Sequence, residues 1–271
     1  MPKDILDIYT DYLICQNQQA TAIGLANLLD SELSHDQITR FLNQNEYSSK
    51  DLWKYVKADV RKHEQKTGGV LIIDDAIEEK PYTDENEIVS WHFSHAKGRC
   101  VKGINILSGL IRYGDLALPI GYEVIKKDLH FCDIKTKKEQ RQSSMTKNQH
   151  LRALVAQAIE NGVLFDYVLA DNWFDAKDNM EFIHYDLKKF FVFGIKANRL
   201  IALSEEDRKK GRYQNLNTLD FKGGQKRVVW LKDLAFPVAL ITKIFKNEDG
   251  SAGVLHIVTN DLDSDADRIY E

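Results

Sequence analysis

Apolar and polar positions divide the chain into a helical first quarter and a longer stretch in which strands and helices alternate. Residues 21–29 (TAIGLANLL) and 34–42 (SHDQITRFL) carry apolar side chains at helical spacing around a short turn at 30–33. Ser34 followed by Gln37 has the form of a capping box, and the pair of helices suggests a helix-turn-helix, with two packed helices that have no DNA role as the equally common alternative. Leu52 to His63 continue as a helix, and Gly68-Gly69 break the pattern at an expected domain boundary. Val70 to Ile73 then form a continuous Val/Leu/Ile run, which predicts a short strand buried on both faces. It leads directly into Asp74 and Asp75. Side chains alternate along a strand, so only one of the two enters any shared site.

Cys100 to Tyr113 and Leu116 to Ile125 predict two strands joined by a hairpin turn at Gly114-Asp115. Lys126 to Lys147 read as a polar connection without periodicity that includes Lys135, Lys137, Lys138 and Arg141, either a DNA-contacting loop or a solvated linker. Thr146 to Ile159 resume a helical pattern, which Asn161-Gly162 end. A second short apolar run follows at Tyr167 to Ala170, and Asp171 closes it. Asp175 to Lys188 predict a helix and Phe190 to Ala197 a buried strand, a strand-helix-strand succession of the α/β kind. From Leu200 to Asp261 the texture is β, with strands expected at Val228 to Leu231, Val238 to Phe245 and Val254 to Val258, and composition alone also allows an independent small β domain.

Composition narrows the class. The 271 residues can bury a sizeable core, and 43% hydrophobic content is ordinary for a globular protein. No apolar run approaches a membrane span, and the acidic N-terminus lacks the order of a secretory signal. Cys15, Cys100 and Cys132 have no CxxC spacing and read as reduced thiols of a cytoplasmic protein. A net charge of −4 sits awkwardly with nucleic acid, but its distribution is uneven. Residues 91–150 hold 11 Lys/Arg against 5 Asp/Glu, and residues 196–232 hold 10 against 4, while 70–90 is acidic. Basic tracts flanking an acidic centre suit a phosphate-binding surface around a metal, although ordinary solvated faces give the same counts. No GxSxG, GxxxxGKS/T or GxGxxG motif is present.

Two strands that each end in a carboxylate can bring hard oxygen ligands together for a divalent ion, and paired ions of this kind serve phosphoryl transfer. The plainer alternative is that one aspartate caps a turn and its neighbour is solvated. His92 and His95 lack the further ligands that zinc needs; beside Lys97, Arg99 and Lys102 they read as phosphate-facing or as without specific role. Lys196 and Arg199 end a strand where they can clamp phosphate or pair with the carboxylates. Trp173 and Phe174 read first as core aromatics, with stacking on an unpaired base as the alternative.

Four separated blocks carry a resemblance: IIDDAIEEKPYTDENE (Ile72 to Glu87), SHAKGRCVKGINILSGL (Ser94 to Leu110), VLADNWFDAKDNMEFI (Val168 to Ile183) and GIKANR (Gly194 to Arg199). Together they resemble the DDE transposases of bacterial insertion sequences, in particular the IS-four-type group. The resemblance implies an α/β fold with an RNase H-like mixed sheet, Asp75 and Asp171 as catalytic metal ligands, and Mg²⁺ or Mn²⁺ as cofactor. It also implies double-stranded DNA as partner, both insertion-sequence ends and target, with a homodimer forming on DNA. The expected organisation is a DNA-binding helical region at 1–66, the catalytic core at 67–199, a β-rich insertion at 200–261 and the start of a C-terminal helix at 262–271. The group's third acid is a glutamate in a Tyr-x-x-Arg-x-x-x-Glu helix. Tyr270 can open that pattern, but its arginine and glutamate would fall beyond Glu271, so the expectation is a truncated enzyme. Two alternatives stand beside it. One is a DNA-binding or inert remnant; the other is a stand-alone metal-dependent nuclease using Asp75, Asp171 and a local acid such as Asp74 or Glu271.

Overall fold

A computed structural model of the chain describes residues 4–17, 19–44, 46–94, 97–219, 223–246 and 249–270. The chain forms two compact units, residues 1–48 and 49–271. The first holds α1 (Ile5–Cys15), α2 (Ala22–Leu28) and α3 (His35–Gln44) around a small core of Tyr12, Leu25, Ala26 and Ile38. The capping box at the start of α3 forms as the sequence suggests: Gln37 N donates to Ser34 Oγ at 3.2 Å and Ser34 N to Gln37 Oε1 at 2.9 Å. Two backbone donors that a helix start leaves without partners are thereby satisfied.

The second unit opens with α4 (Ser49–His63), which packs on a strand of the main sheet. The helical stretch expected over 1–66 is therefore divided, and its last helix belongs with the sheet. Ser49 makes the join, since its Oγ accepts from Tyr122 N at 3.1 Å and Gln157 Nε2 at 2.9 Å. The elements that follow are β1 (Val70–Glu79), β2 (Ser90–Ser94), β3 (Arg99–Tyr113), β4 (Leu116–Val124), β5 (Leu129–Asp133), β6 (Lys138–Gln142), α5 (Lys147–Glu160), β7 (Tyr167–Ala170) and α6 (Lys177–Glu181), which runs on into a π-helical turn at Phe182–Asp186. Then come β8 (Phe190–Gly194), β9 (Leu200–Ala202), α7 (Glu205–Lys209), β10 (Gln214–Asn215), β11 (Lys226–Leu231), β12 (Val238–Lys246), β13 (Ala252–Thr259) and α8 (Ala266–Tyr270).

Within the main sheet β1 pairs antiparallel with β3 and β3 with β4, while β1 pairs parallel with β7 and β7 with β8. Three antiparallel strands continued by two parallel ones is the RNase H-like arrangement. The β-rich residues extend the same sheet: β13 pairs antiparallel with β8 at Ile257↔Gly194, and β12, β11 and β9 follow outward. One face is closed by a core that includes Leu71 and Ile73 of β1, Val168 and Ala170 of β7, Phe191 and Phe193 of β8, and Leu151, Leu154 and Val155 of α5.

Two of the departures from the sequence expectation have a clear physical reason. Strand β1 runs six residues past Ile73, because β3 pairs with it from Val70↔Arg112 to Glu79↔Gly103. Backbone pairing carries it through charged residues that apolar patterning would exclude. Gly103 is required there: a Cβ would lie 2.3 Å from Glu78 O. The Lys126 to Lys147 connection contains a β5–β6 hairpin, built on turn chemistry in place of apolar alternation. The Asp133 carboxylate accepts from Lys135 N and Thr136 N at 2.8 and 3.0 Å, and Lys137 takes a positive φ of 55°. Among the described residues no helix is long and apolar enough to cross a membrane.

Candidate active site

The parallel pairing of β1 with β7 ends at Ile73↔Ala170. Beyond that point β1 keeps its antiparallel partner but has no parallel neighbour, and a crevice of this kind is where α/β sheets gather functional groups. Asp75 stands two and four residues after the buried Ile73 and Leu71, so alternation puts it on their face, the face of α5. Asp74 points away and is exposed; its Oδ1 accepts from Asp75 N at 2.9 Å. Asp75 Oδ2 receives two donors, Lys147 Nζ at 2.6 Å and Asn105 Nδ2 at 2.8 Å. Lys147 is set at this spot because Thr146 caps α5, with a complete Thr146–Gln149 capping box, which fixes Lys147 as the first helical residue.

Asp171 begins a tight loop directly after β7. Its Oδ1 accepts from Trp173 N at 2.9 Å and its carbonyl from Phe174 N at 3.2 Å. Gly194, at the end of β8, lets this loop pass, since a Cβ there would meet Asn172 N at 2.9 Å. Phe174 is fully buried, whereas Trp173 keeps 38% of its surface. The Lys147 and Lys196 ammonium groups stand 5.6 and 4.9 Å from the Trp173 ring centroid. Lys147 therefore joins the two halves, touching Asp75 on one side and the ring that follows Asp171 on the other. Behind the loop, buried Asp175 accepts from Lys196 N at 3.3 Å, and Arg199 Nη2 donates to Asp175 O at 2.9 Å. Fully buried Asn179 ties the loop to α5: it accepts from Arg152 Nη1 at 2.7 Å and donates to Asn148 Oδ1 at 2.8 Å and Phe174 O at 3.1 Å.

The residues singled out from sequence thus fall into two groups. Asp75, Asp171 and Lys196 border the Lys147–Trp173 contact, and Arg199 is held one layer back by Asp175. Lys97, Arg99 and Lys102 lie at the other end of β3. Lys102 is five residues from Leu107, the partner of Asp75, which is roughly 17 Å along an extended strand. Lys97 pairs there with Glu79 Oε1 at 2.5 Å. His92 is buried and shares a hydrogen bond with Ser90 Oγ at 3.1 Å, so it does not face solvent phosphate. Its pKa is pushed down to about 4, first by burial and then by the charges of Lys127 and Lys147, against a smaller upward pull from Asp75. His95 and Glu271 lie outside the described residues.

Lys147, Asn105, Asp175 and Asn179 were not picked out by sequence reasoning. For Lys147 a signal existed, the Thr146-x-x-Gln149 box that fixes where α5 starts. For the others the contacts are between distant segments, and no local pattern carries them.

The family model for DDE superfamily endonuclease matches residues 2–215. The chain belongs to that family. As a DDE superfamily endonuclease it acts on phosphodiester bonds of nucleic acid. No curated protein matches it. Among solved structures, the NurA nuclease from Sulfolobus solfataricus aligns over 86% of this chain and 80% of its own, at 10% identity and a TM-score of 0.28.

Nucleases of this superfamily use divalent metal ions, and the donor set of the crevice fits one. Its acidic groups are hard oxygens, and a cation already stands at Asp75 in the form of the Lys147 ammonium. Buried Asn105 adds an oxygen, Oδ1, that has no hydrogen-bond partner. Among the described residues there is no group of three or more His, Cys, Asp or Glu side chains placed to hold a metal.

Proposed function

We propose that the chain is a DNA transposase of the insertion-sequence type, with Asp75 and Asp171 as its metal-holding catalytic carboxylates. The observation that carries this reading is the end of the β1–β7 pairing at Ile73↔Ala170, with an aspartate just beyond it on each strand. The RNase H-like strand order and the endonuclease family membership support it. Bound Mg²⁺ or Mn²⁺ would activate the attacking oxygen and stabilise the leaving one. Asp75 and Asp171 would hold the metal. Asn105 donates to Asp75 Oδ2 and so orients its carboxylate. Lys147 keeps the carboxylate charge compensated before substrate arrives and is placed to turn toward a phosphate oxygen afterwards. Lys196, beside the same indole, offers a second cation to the DNA backbone. Among the described residues no third acid groups with a pair of others to hold a metal. DNA binding by the first helical unit and dimerisation on DNA belong to the same proposal.

The test is cleavage of labelled insertion-end DNA with Mg²⁺ or Mn²⁺, with joined products scored separately from cut ones. Cleavage and joining that both vanish in Asp171→Asn, with end binding retained, are the expected result. Undiminished cleavage in Asp171→Asn would sink the site assignment. Cutting without any joining would favour a stand-alone nuclease, a reading that the endonuclease description of the family also fits. Binding without cutting would favour a remnant.

A further inference from the structure

Strands β5 and β6 form a two-stranded sheet of their own, and no residue of either strand is buried. A hairpin with nothing packed over it is at best marginally stable in water. This one nevertheless exposes Leu129, Phe131 and, at its tip, Ile134, which keeps 91% of its surface. Polar contacts fix its shape at both ends. At the neck the Asp128 carboxylate accepts from Ser144 N and Oγ at 2.8 and 2.7 Å. At the turn Asp133 accepts from Lys135 N and Thr136 N through Oδ1, and from Gln140 Nε2 at 3.3 Å through Oδ2.

The register sorts the two faces. Leu129 lies opposite Gln142 and Phe131 opposite Gln140, so one face sets apolar side chains beside amides. His130, Glu139 and Arg141 take the other face, where Glu139 meets His130 at 3.2 Å and Arg141 is 4.0 Å from Glu85. The acids Asp128, Asp133 and Glu139 are thus each held by a donor within the hairpin or its neck. Residues 134–138 hold three lysines and no acid. Among the described residues Lys135, Lys137 and Lys138 have no carboxylate partner. Free cations beside an apolar and amide face match duplex DNA, whose phosphates border a groove floored by thymine methyls and purine edges. Position points the same way: one short loop after β6, Lys147 holds Asp75, so nucleic acid entering the crevice passes the neck of the hairpin.

We propose that the β5–β6 hairpin enters the major groove of the duplex beside the bond to be cut, with Phe131 and Gln140 against base edges and Lys135, Lys137 and Lys138 on phosphates. The major groove admits a two-stranded ribbon. Leu129 to Ile134 span roughly 17 Å of extended chain, which is about five base pairs at 3.4 Å each. To reach a purine edge Gln140 gives up only its 3.3 Å contact with Asp133. The ligand is therefore double-stranded DNA, recognised in part away from the cut. The inference rests on the reading of Asp75 and Asp171 for where the duplex runs; binding by the hairpin itself does not need catalysis.

The test is fluorescence anisotropy on an insertion-end duplex in EDTA, so that no cleavage contributes, with salt varied. Lys135→Ala, Lys137→Ala and Lys138→Ala combined should lower the slope of log affinity against log salt by about 3, and the affinity at about 0.1 M salt by on the order of 10²-fold. Arginine at the same three positions should restore both. Phe131→Ala with Gln140→Ala should lose roughly 5- to 100-fold, the range of one specific base contact, with the slope unchanged. Purines replaced by 7-deaza analogues lack the N7 acceptor of the major groove; they should weaken binding of the native chain and add little to the loss in the Phe131/Gln140 variant. An amine-reactive footprint on the native chain decides even if a variant folds poorly, since DNA should shield Lys135, Lys137 and Lys138. Equal reactivity of the three lysines with and without DNA, or a salt slope that survives the triple alanine variant, overturns the proposal. Unchanged affinity of the native chain for the 7-deaza duplex overturns the groove assignment. Self-association of the native chain that disappears in Phe131→Ser would overturn it too, by making the hairpin a contact between copies. Cleavage that persisted in Asp171→Asn would instead refute the carboxylate assignment and leave this binding result untouched.

Discussion

Strand β1 carries two lysine–carboxylate pairs of nearly equal length on one face, and they differ in everything except length. Asp75 meets Lys147 at 2.6 Å, and Glu79, four residues on, meets Lys97 at 2.5 Å. The inner pair has side chains 16% and 22% exposed, and Asp75 is also held by Asn105. The outer pair is 34% and 50% exposed at the open end of the β1–β3 ribbon. Coulomb attraction grows as water is excluded, and so does the penalty for leaving one partner alone. Distance therefore says little about what an ion pair does. What separates the two is enclosure: the inner pair is built into a network that reaches α5, Trp173 and the loop after β7, and the outer one is a solvent-facing contact.

The largest expected effect sharpens this contrast directly. Asp75→Asn and Asp171→Asn should each reduce metal-dependent cleavage by on the order of 10³ or more, because each removes a charge that would hold the ion. Glu79→Gln, the same chemical change four residues away, should leave the rate within about twofold. Equal losses at Asp75 and Glu79 in a cleavage assay would erase the distinction between the two ends. Next in size is Asn179→Ala, which removes three hydrogen bonds in a fully buried setting. Unpaired buried partners cost about 2–3 kcal/mol in stability. Chemical denaturation measures it, and a change below about 0.5 kcal/mol would mean that the loop and α5 are held by other contacts.

How much of this was readable beforehand follows the range of the interactions. The strands that lead to Asp75 and Asp171 are written in consecutive apolar residues, and the α3 and α5 starts in Ser34/Gln37 and Thr146/Gln149, all local signals. The order of strands in the sheet is not local, and it was reached only through the resemblance. Apolar patterning ends β1 after four residues because Glu78 and Glu79 look like loop; their place in it is set by pairing with Ile104 and Gly103 of β3, far beyond any local window. Lys97, Arg99 and Lys102 looked equivalent to Lys196 on the basis of charge alone. A sequence gives the sign of a side chain without saying which end of a ribbon it occupies. Asn179 shows the same limit from the other side, since nothing near it in sequence marks an asparagine that is fully buried.

A smaller effect concerns a buried group on the neighbouring strand β2. His92, opposite Val101 of β3, has a folded pKa of about 4 against an ordinary 6.5, chiefly through burial. The folded state thus binds fewer protons than the unfolded state between those values. Stability from this group is complete above pH 6.5 and is lost as pH falls toward 4, by at most about 3 kcal/mol. His92→Gln should flatten that part of the stability–pH curve, whereas Lys97→Ala should leave it in place. Urea midpoints measured from pH 7 to pH 4 test it, and an unchanged acid limb in His92→Gln would assign the acid sensitivity to other groups.

The smallest effect is at the outer pair. Lys97→Ala breaks a contact whose partners are both about a third exposed or more, and such pairs contribute about 0–1 kcal/mol. The remaining Glu79 is not stranded, because water reaches it, and β1 is held there by backbone pairing to Gly103, which the substitution does not touch. The expected change in unfolding midpoint is within about 0.5 kcal/mol, and it should shrink further in high salt. DNA affinity gives the second readout. If the outer lysines steer the backbone of a long duplex, Lys97→Ala weakens binding of long duplexes and leaves short ends unaffected, with a shallower salt dependence. If binding of both lengths is unchanged, the outer end is a solvated face with no part in recognition. A loss on short ends as large as that of Lys147→Ala would mean that DNA bridges both ends of β1 and that enclosure is not what sets them apart.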